Sequence, residues 1–330
     1  MAGLGLAIAC GDYDRTRPLA DGRVRIEGVD PSVVVLPPEE MFWRMIRHRE
    51  FDVSELSFSS YVLMRSRGED EFVAIPVFPS RSFRHSAIYV RTSAGVARPA
   101  DLRGRRVGVP EYAMTAAVWA RGHLHHDYGV APHEIEWVTG GLEDPGRIEK
   151  LRLDVPPEIR IRPAGPDRTL NAMLVGGEID ALIAPRPPSS FRKRDPRVAR
   201  LFPSYRDVEA EYFRRTGIFP IMHVIVLRRD VYEKHRWLVR SLFKAFERAK
   251  RLALESFEED AALRLSHPWI AAEAEILREL LGEDWWPYGV EANRTTIEML
   301  VRHSHEQGLA KRMLDAEELF PPESLDEAKT

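Results

Sequence analysis

The chain lacks the short motifs that would mark it locally. It has one cysteine, Cys10, in 330 residues. That excludes an internal disulfide framework and any multi-thiolate metal site. No apolar run approaches the roughly 18 residues of a membrane span. G-x-G-x-x-G after a strand, G-x-x-x-x-G-K-[ST], H-E-x-x-H and G-x-S-x-G are all missing, so nucleotide cofactors and Ser-triad hydrolysis have no support. There is no strong charge of one sign: the net value is −3. No global basic field recruits nucleic acid, and any anion site must be local. Internal repeats and low-complexity segments are also missing. The N-terminal MAGLGLAIAC faintly resembles a lipoprotein cleavage site, but no Lys or Arg precedes Arg15. The apolar run is short, closer to a strand than to a secretory core. It reads as a buried first strand of a cytoplasmic protein with no membrane partner.

What is present is a globular balance, 44% hydrophobic and 30% charged residues, over a length that suggests two domains. Strand-like and helix-like segments alternate, as in α/β proteins. Residues 4–10, 33–36, 51–58, 72–77 and 87–91 read as strands, with helices over 38–48 and 59–67. A second α/β unit follows. It has strand RRVGVP, a helix over 112–128 stopped by Gly129, a strand over 134–139, a helix over 169–175 and strand EIDALIAP. IMHVIVL, residues 221–227, is a last strand before helices over 234–255, 271–281 and 295–313. The acidic tail after Glu317 reads as frayed. These limits give a first lobe of residues 1–100 plus 218–330 and a second of 101–217.

Polar groups gather where apolar strands end, the usual place for ligands in α/β folds. CGDYDRT, SELSFSS, SRSFRH, PEYAMT, APRPPSSF and GIFPIMH each stand at such an end, and DWWPYGVEANR adds an aromatic, polar turn. PEYAMT opens a helix, whose free N–H groups suit an anion. The run HLHHDYG, with His123, His125, His126 and Asp127, reads as a solvated helix end because cations are favoured near helix C-termini. His303 and His305 lie on different helix faces and read the same way.

FDVSELS, DLRGRRVGVPEY and LVGGEIDALIAP resemble the type II periplasmic-binding-protein-like fold, in which a ligand lies between two α/β lobes joined by two crossover segments. ACGDYDRT, FDVSELSFSSY, PVFPSRSFRHSAIYV, DLRGRRVGVPEY, IDALIAPRPPSSF, TGIFPIMHVIVLRRDVY and DWWPYG together are similar to the 4,5-dihydroxyphthalate decarboxylase family over nearly the whole chain. The resemblance implies a cytoplasmic carboxy-lyase of phthalate and aromatic catabolism. Its partner would be a small aromatic dicarboxylate, converted to protocatechuate and CO2.

A dianionic ring acid needs cationic anchors, and arginine forks pair bidentately with carboxylates. Arg81, Arg84 and Arg186 are the first candidates, with Arg15 and Arg294 behind them. Ser57, Ser59, Tyr112 and Thr115 are candidates to hydrogen-bond the substrate, and Tyr13, Phe83 and Tyr288 to line its ring. Decarboxylation needs a base near a phenol and an acid near the ipso carbon. His85 or His223 is the expected proton donor, with Glu55 as carboxylate partner and Asp12 as a second carboxylate. The arginines should act unequally, since tight pairing of the leaving carboxylate would oppose its loss of charge. No cofactor is expected. The alternative is a divalent ion on Asp12, Glu55, His85 and His223 holding the catechol oxygens. A homo-oligomer is compatible with the sequence. The competing readings are a solute-binding protein for an aromatic acid or other small anion, and another enzyme of the same fold acting on a related carboxylate, such as those of the menaquinone pathway. Regulation by ligand-induced lobe closure is a third.

Overall fold

Runs rich in Val, Ile and Leu become strands, and their pairing sorts them into two sheets. The computed structural model describes residues 3–259 and 261–325. Its strands are β1 (Leu4–Cys10), β2 (Val29–Val35), β3 (Val53–Ser57), β4 (Phe72–Arg81), β5 (Ile88–Arg91), β6 (Arg106–Val109), β7 (Glu136–Thr139), β8 (Ile161–Pro163), β9 (Ala181–Ile183), β10 (Val198–Arg200) and β11 (Ile221–Arg228). The first sheet has the order β2-β1-β3-β11-β4 and the second β10-β5-β9-β6-β7-β8. In the first, β1 is parallel to β2 and β3, while β11 runs antiparallel to β3 and β4. In the second, β6 is parallel to β7 and β9, while β5 runs antiparallel to β9 and β10. The chain passes between the sheets twice, over residues 82–87 and 201–220.

The first crossing comes earlier than the sequence suggests. Strand β5 pairs with β9 and β10, so the second lobe starts near residue 88 and not at 101. A four-residue run such as IYVR carries no sign of its partner. β8 and β10, three residues each, escape a reading by periodicity for the same reason.

The apolar cores of the lobes are not separate. The helix Thr115–Tyr128 packs against the helices Phe58–Ser66 and Arg294–Glu306 and against β11. Trp119 on it is fully buried and donates its indole N–H to the Ile221 carbonyl at 2.9 Å. A single apolar core therefore runs from Ile8, Val53 and Val224 through Val118 and Trp119 to Val107 and Trp137. A smaller core of Val138, Leu170, Leu174 and Leu182 belongs to the second sheet. No described helix is long and apolar enough to cross a membrane.

The helix expected over 38–48 is observed as Pro38–His48. The one expected over 112–128 begins only at Thr115, because residues 110–114 form the turn that faces the cleft. The helix expected over 234–255 breaks at His235–Trp237 into Arg229–Lys234 and Leu238–Leu254. The tail is not frayed after Glu317. A short helix, Ala316–Leu319, starts on an Asp315/Glu318 capping box, and Leu319 and Phe320 are buried. Residues 326–330 lie outside the described residues. The tail is tied by Tyr61, whose buried hydroxyl donates to the Leu319 carbonyl at 2.7 Å and accepts from the Ala74 amide at 3.2 Å. Tyr61→Phe leaves both backbone groups unsatisfied in the core. It should lower unfolding free energy by about 1–3 kcal/mol, read from urea denaturation, and no loss would mean the tail is not held this way.

Candidate active site

The site begins with a carboxylate that has no access to water. Glu55 stands on β3 two residues before Ser57, so both side chains share one face of the first sheet. His223 on the neighbouring β11 pairs in register with Ser57 and brings its ring to the same face. Glu55 accepts from the Gly11 amide at 2.8 Å, the Tyr13 hydroxyl at 2.8 Å and His223 Nδ1 at 2.5 Å. Burial pushes the Glu55 carboxyl up, but the hydrogen bond and charge of His223, the Gly11 N–H and the Tyr13 hydroxyl outweigh it and hold the group below the usual range. Burial and the Glu55 charge push the Tyr13 hydroxyl well up, so it stays a donor. The His223 ring is edge-on to Phe42 at 4.8 Å. With Nδ1 committed to Glu55, Nε2 has no protein partner among the described residues, and the ring lines a cleft between the lobes.

That cleft has a volume of about 230 Å³. Three helices begin at it: Pro38–His48 with Pro38 and Glu39, Phe58–Ser66 with its cap Ser57 and Ser60, and Thr115–Tyr128 with Met114, Thr115 and Ala116. Their N–H ends favour negative charge. Ser57 and Thr115 join across the lobes, hydroxyl to hydroxyl, at 2.9 Å. Four cations line the cleft, Arg84, Arg147, Lys150 and Arg186, against two carboxylates, Glu39 and Glu111. Counting the Glu55–His223 pair as one neutral unit that shares a proton, the surplus is two positive charges. Arg186 is spent bidentately on Glu39 at 2.7 and 3.0 Å. Arg147 and Lys150 both hold Glu111. Arg84 alone of the four has no ion pair among the described residues, only a 3.1 Å contact from Nε to the Met222 sulfur. Burial lowers its pKa to about 10, so it stays charged at neutral pH.

Of the residues expected from sequence, the cleft brings together Tyr13, Ser57, Arg84, Thr115, Arg186 and His223, with Glu55 directly behind. The others are elsewhere. β4 runs on through Pro79 to Arg81, so alternation sends Ser80 to the cleft and Arg81 away from it. Arg81 is buried, donating to the Phe219 carbonyl at 3.2 Å, the Pro287 carbonyl at 2.6 Å and Asn293 Oδ1. Phe83 stacks on Phe219 at 4.8 Å. Tyr112 is buried under Arg121 and bonds the Gln307 carbonyl. Ser59 donates to the Ala113 carbonyl, Tyr288 is buried beneath Lys250, and Asp12 pairs with Arg17 on the surface. Arg15 lies between the Tyr13 and Trp286 rings, 4.4 and 4.1 Å away, and so stiffens Tyr13 without entering the cleft. Arg294 is held by Glu291 and Glu317.

His85 is the main correction. It starts the short 3-10 turn His85–Ala87 in the first crossing and its ring stacks on His123 at 4.4 Å, beside Phe202 and Tyr212. His123 and His303 are therefore buried, not a solvated helix end. The metal set Asp12, Glu55, His85 and His223 does not assemble. Among the described residues, ligand atoms converge only in His85–His123–Asp127 and His125–His126–Glu306, both away from the cleft.

Several cleft residues were not singled out from sequence. Ser60, Glu111, Met114 and Met222 sat inside the strand-end stretches already noted, hidden behind showier neighbours. Arg147 and Lys150 come from an irregular segment with no strand end to announce it, and Glu39 from what read as an ordinary acidic first helical turn.

No family model matches the chain. It is 44% identical over 329 residues to the 4,5-dihydroxyphthalate decarboxylase of Comamonas testosteroni, covering 100% of both chains. It is 45% identical over 211 residues to the 4,5-dihydroxyphthalate decarboxylase of Pseudomonas putida, covering 64% of this chain and 82% of that one. In structure it is similar to the periplasmic aliphatic sulphonate binding protein SsuA from Escherichia coli, with a TM-score of 0.56 at 15% identity over 97% of this chain and 98% of that one. It is also similar to the desulfurization enzyme DSZB, with a TM-score of 0.55 at 16% identity over 98% and 97%. The two-lobed, type II periplasmic-binding-protein-like fold is thus the observed one.

The buried histidines predict acid sensitivity. Burial, and then the neighbouring His123, lower the His85 pKa from 6.5 to about 3. The fold holds the neutral ring, so its contribution is complete above pH 6.5 and is lost as pH falls toward 3. The urea midpoint should drop over that window, and His85→Leu should flatten part of the slope. Identical slopes for both proteins would contradict the assignment.

Proposed function

The chain belongs to the 4,5-dihydroxyphthalate decarboxylase family, and on that premise we propose that its interlobe cleft converts 4,5-dihydroxyphthalate to protocatechuate and CO2. The observation that carries the reading is the Glu55–His223 pair opening onto a cleft with two surplus positive charges. The surplus matches a dianion. Arg84, free of any carboxylate of its own, is the anchor for the carboxylate that stays. The leaving carboxylate lies against the hydroxyls of Ser57, Ser60 and Thr115 and the helix N-termini, which orient it without a full opposing charge.

His223 supplies the proton. Glu55 stabilises its imidazolium through Nδ1, and Nε2 delivers a proton to the ipso carbon. The carbon–carbon bond then breaks, its electron pair stays on the ring, and CO2 departs. The product carries one negative charge fewer than the substrate, so the cleft holds it less strongly. The reading needs no metal and sets the enzyme in the cytoplasm. A carrier of small anions would use the same positive cleft but has no need of a buried carboxylate behind a histidine.

The test is incubation with 4,5-dihydroxyphthalate, with and without chelator, following CO2 and the ultraviolet spectrum of the product. Turnover unaffected by chelator is expected. His223→Gln should lower kcat by about 100- to 10,000-fold, and Arg84→Gln should chiefly raise KM. Binding without turnover by the wild-type protein would favour the carrier. Full turnover by His223→Gln would remove the assigned proton donor.

A further inference from the structure

Protonation of the ipso carbon is assisted when a ring hydroxyl para to it gives up its proton, because that pushes electron density toward the carbon. Para positions lie on opposite edges of a ring. The acid and the hydroxyl acceptor must therefore come from opposite walls of the cleft. His223 is on β11, in the first sheet, and the acceptor should come from the second lobe.

Two carboxylates line the cleft, and they differ in one respect. Glu39 has both oxygens taken by Arg186. Glu111, in the turn after β6 of the second sheet, takes all its contacts on one oxygen. Arg147 Nε and Nη2 and Lys150 Nζ all donate to Oε1. Oε2 accepts no hydrogen bond among the described residues, although the side chain is only 6% exposed. Glu55, the remaining carboxylate at the site, is committed on both oxygens to Gly11, Tyr13 and His223. A mostly buried carboxylate with one oxygen clamped by two cations and the other bare is a preorganised acceptor. The clamp fixes its orientation, and the bare oxygen calls for a donor.

We infer that Glu111 Oε2 accepts the substrate hydroxyl para to the leaving carboxylate, making Glu111 the residue that recognises the catechol edge and takes its proton. The inference rests on the decarboxylase reading. In the reaction, the hydroxyl proton moves to Glu111 and the oxygen's electron pair enters the ring. The ipso carbon takes a proton from His223 Nε2. The bond to the carboxylate breaks, returning its pair to the ring as CO2 leaves. Glu111 then gives its proton back to the phenoxide, and His223 is reprotonated from water. One proton is consumed for each CO2 released.

The test compares binding of 4,5-dihydroxyphthalate and of phthalate, which carries the same two carboxylates and no hydroxyls, by titration calorimetry. Wild-type protein should prefer the hydroxylated ligand, and Glu111→Gln should shrink that preference by on the order of 10- to 100-fold. Removing the carboxylate also frees Arg147 and Lys150, but that change acts on both dianions and cancels in the ratio. A role confined to holding the two cations would move both affinities together and leave the ratio intact, and that result would overturn the inference. Glu111→Asp keeps the charge pair while drawing the bare oxygen back. It should lose the preference with phthalate affinity kept, and it serves if Glu111→Gln does not fold. Wild-type turnover is measured alongside. Its failure would overturn the decarboxylase reading, whereas turnover with an unchanged ratio in both variants would overturn the Glu111 role alone.

Discussion

The site depends on one buried charge. A carboxylate at the position of Glu55 is tolerated only because three donors reach it, and each comes from a different part of the first lobe. Gly11 follows β1, Tyr13 follows it in the next turn, and His223 is on β11. The strand order puts β3 between β1 and β11, so the carboxylate on the middle strand is within reach of both neighbours. The sheet thus fixes the tautomer and direction of the histidine before any ligand arrives. Nδ1 is held and Nε2 is the nitrogen left for chemistry.

The rest of the cleft follows from bringing a second lobe against that pair. The second sheet contributes the turn carrying Glu111, and the segment after it contributes Arg147 and Lys150. Three helix N-termini and an unspent arginine set the sign of the field. Similar folds include a sulphonate binding protein and a desulfurization enzyme, so the scaffold itself does not decide between holding a ligand and transforming it. What separates the two in this chain is the buried carboxylate behind the histidine. An anion holder gains nothing from its desolvation cost.

Much of the architecture was legible in sequence because apolar runs and amphipathic spacing announce themselves. β1 and β11 carry such runs, and the helix Pro38–His48 shows its apolar face at Met41, Phe42, Met45 and Ile46. Glu55, Ser57 and His223 stood at the ends of such runs and were found for that reason. Arg81 and Arg84 show the limit. Three residues apart in SRSFRH, one is sealed in the core and the other lines the cleft, and only the continuation of β4 through two prolines decides which. His85 was misplaced because its partners, His123 and Tyr212, are distant in sequence and come together through the crossing. Arg147 and Lys150 lie where no periodicity exists to be read.

The central claim is that Glu55 and His223 act as a unit, and a double-mutant cycle tests it most directly. Glu55→Gln, His223→Gln and the double variant are compared by kcat/KM on 4,5-dihydroxyphthalate. The account predicts that the double variant is hardly slower than His223→Gln alone, because the carboxylate works only through the ring. Losses that multiply, with each substitution costing the same in the presence or absence of the other, would contradict it.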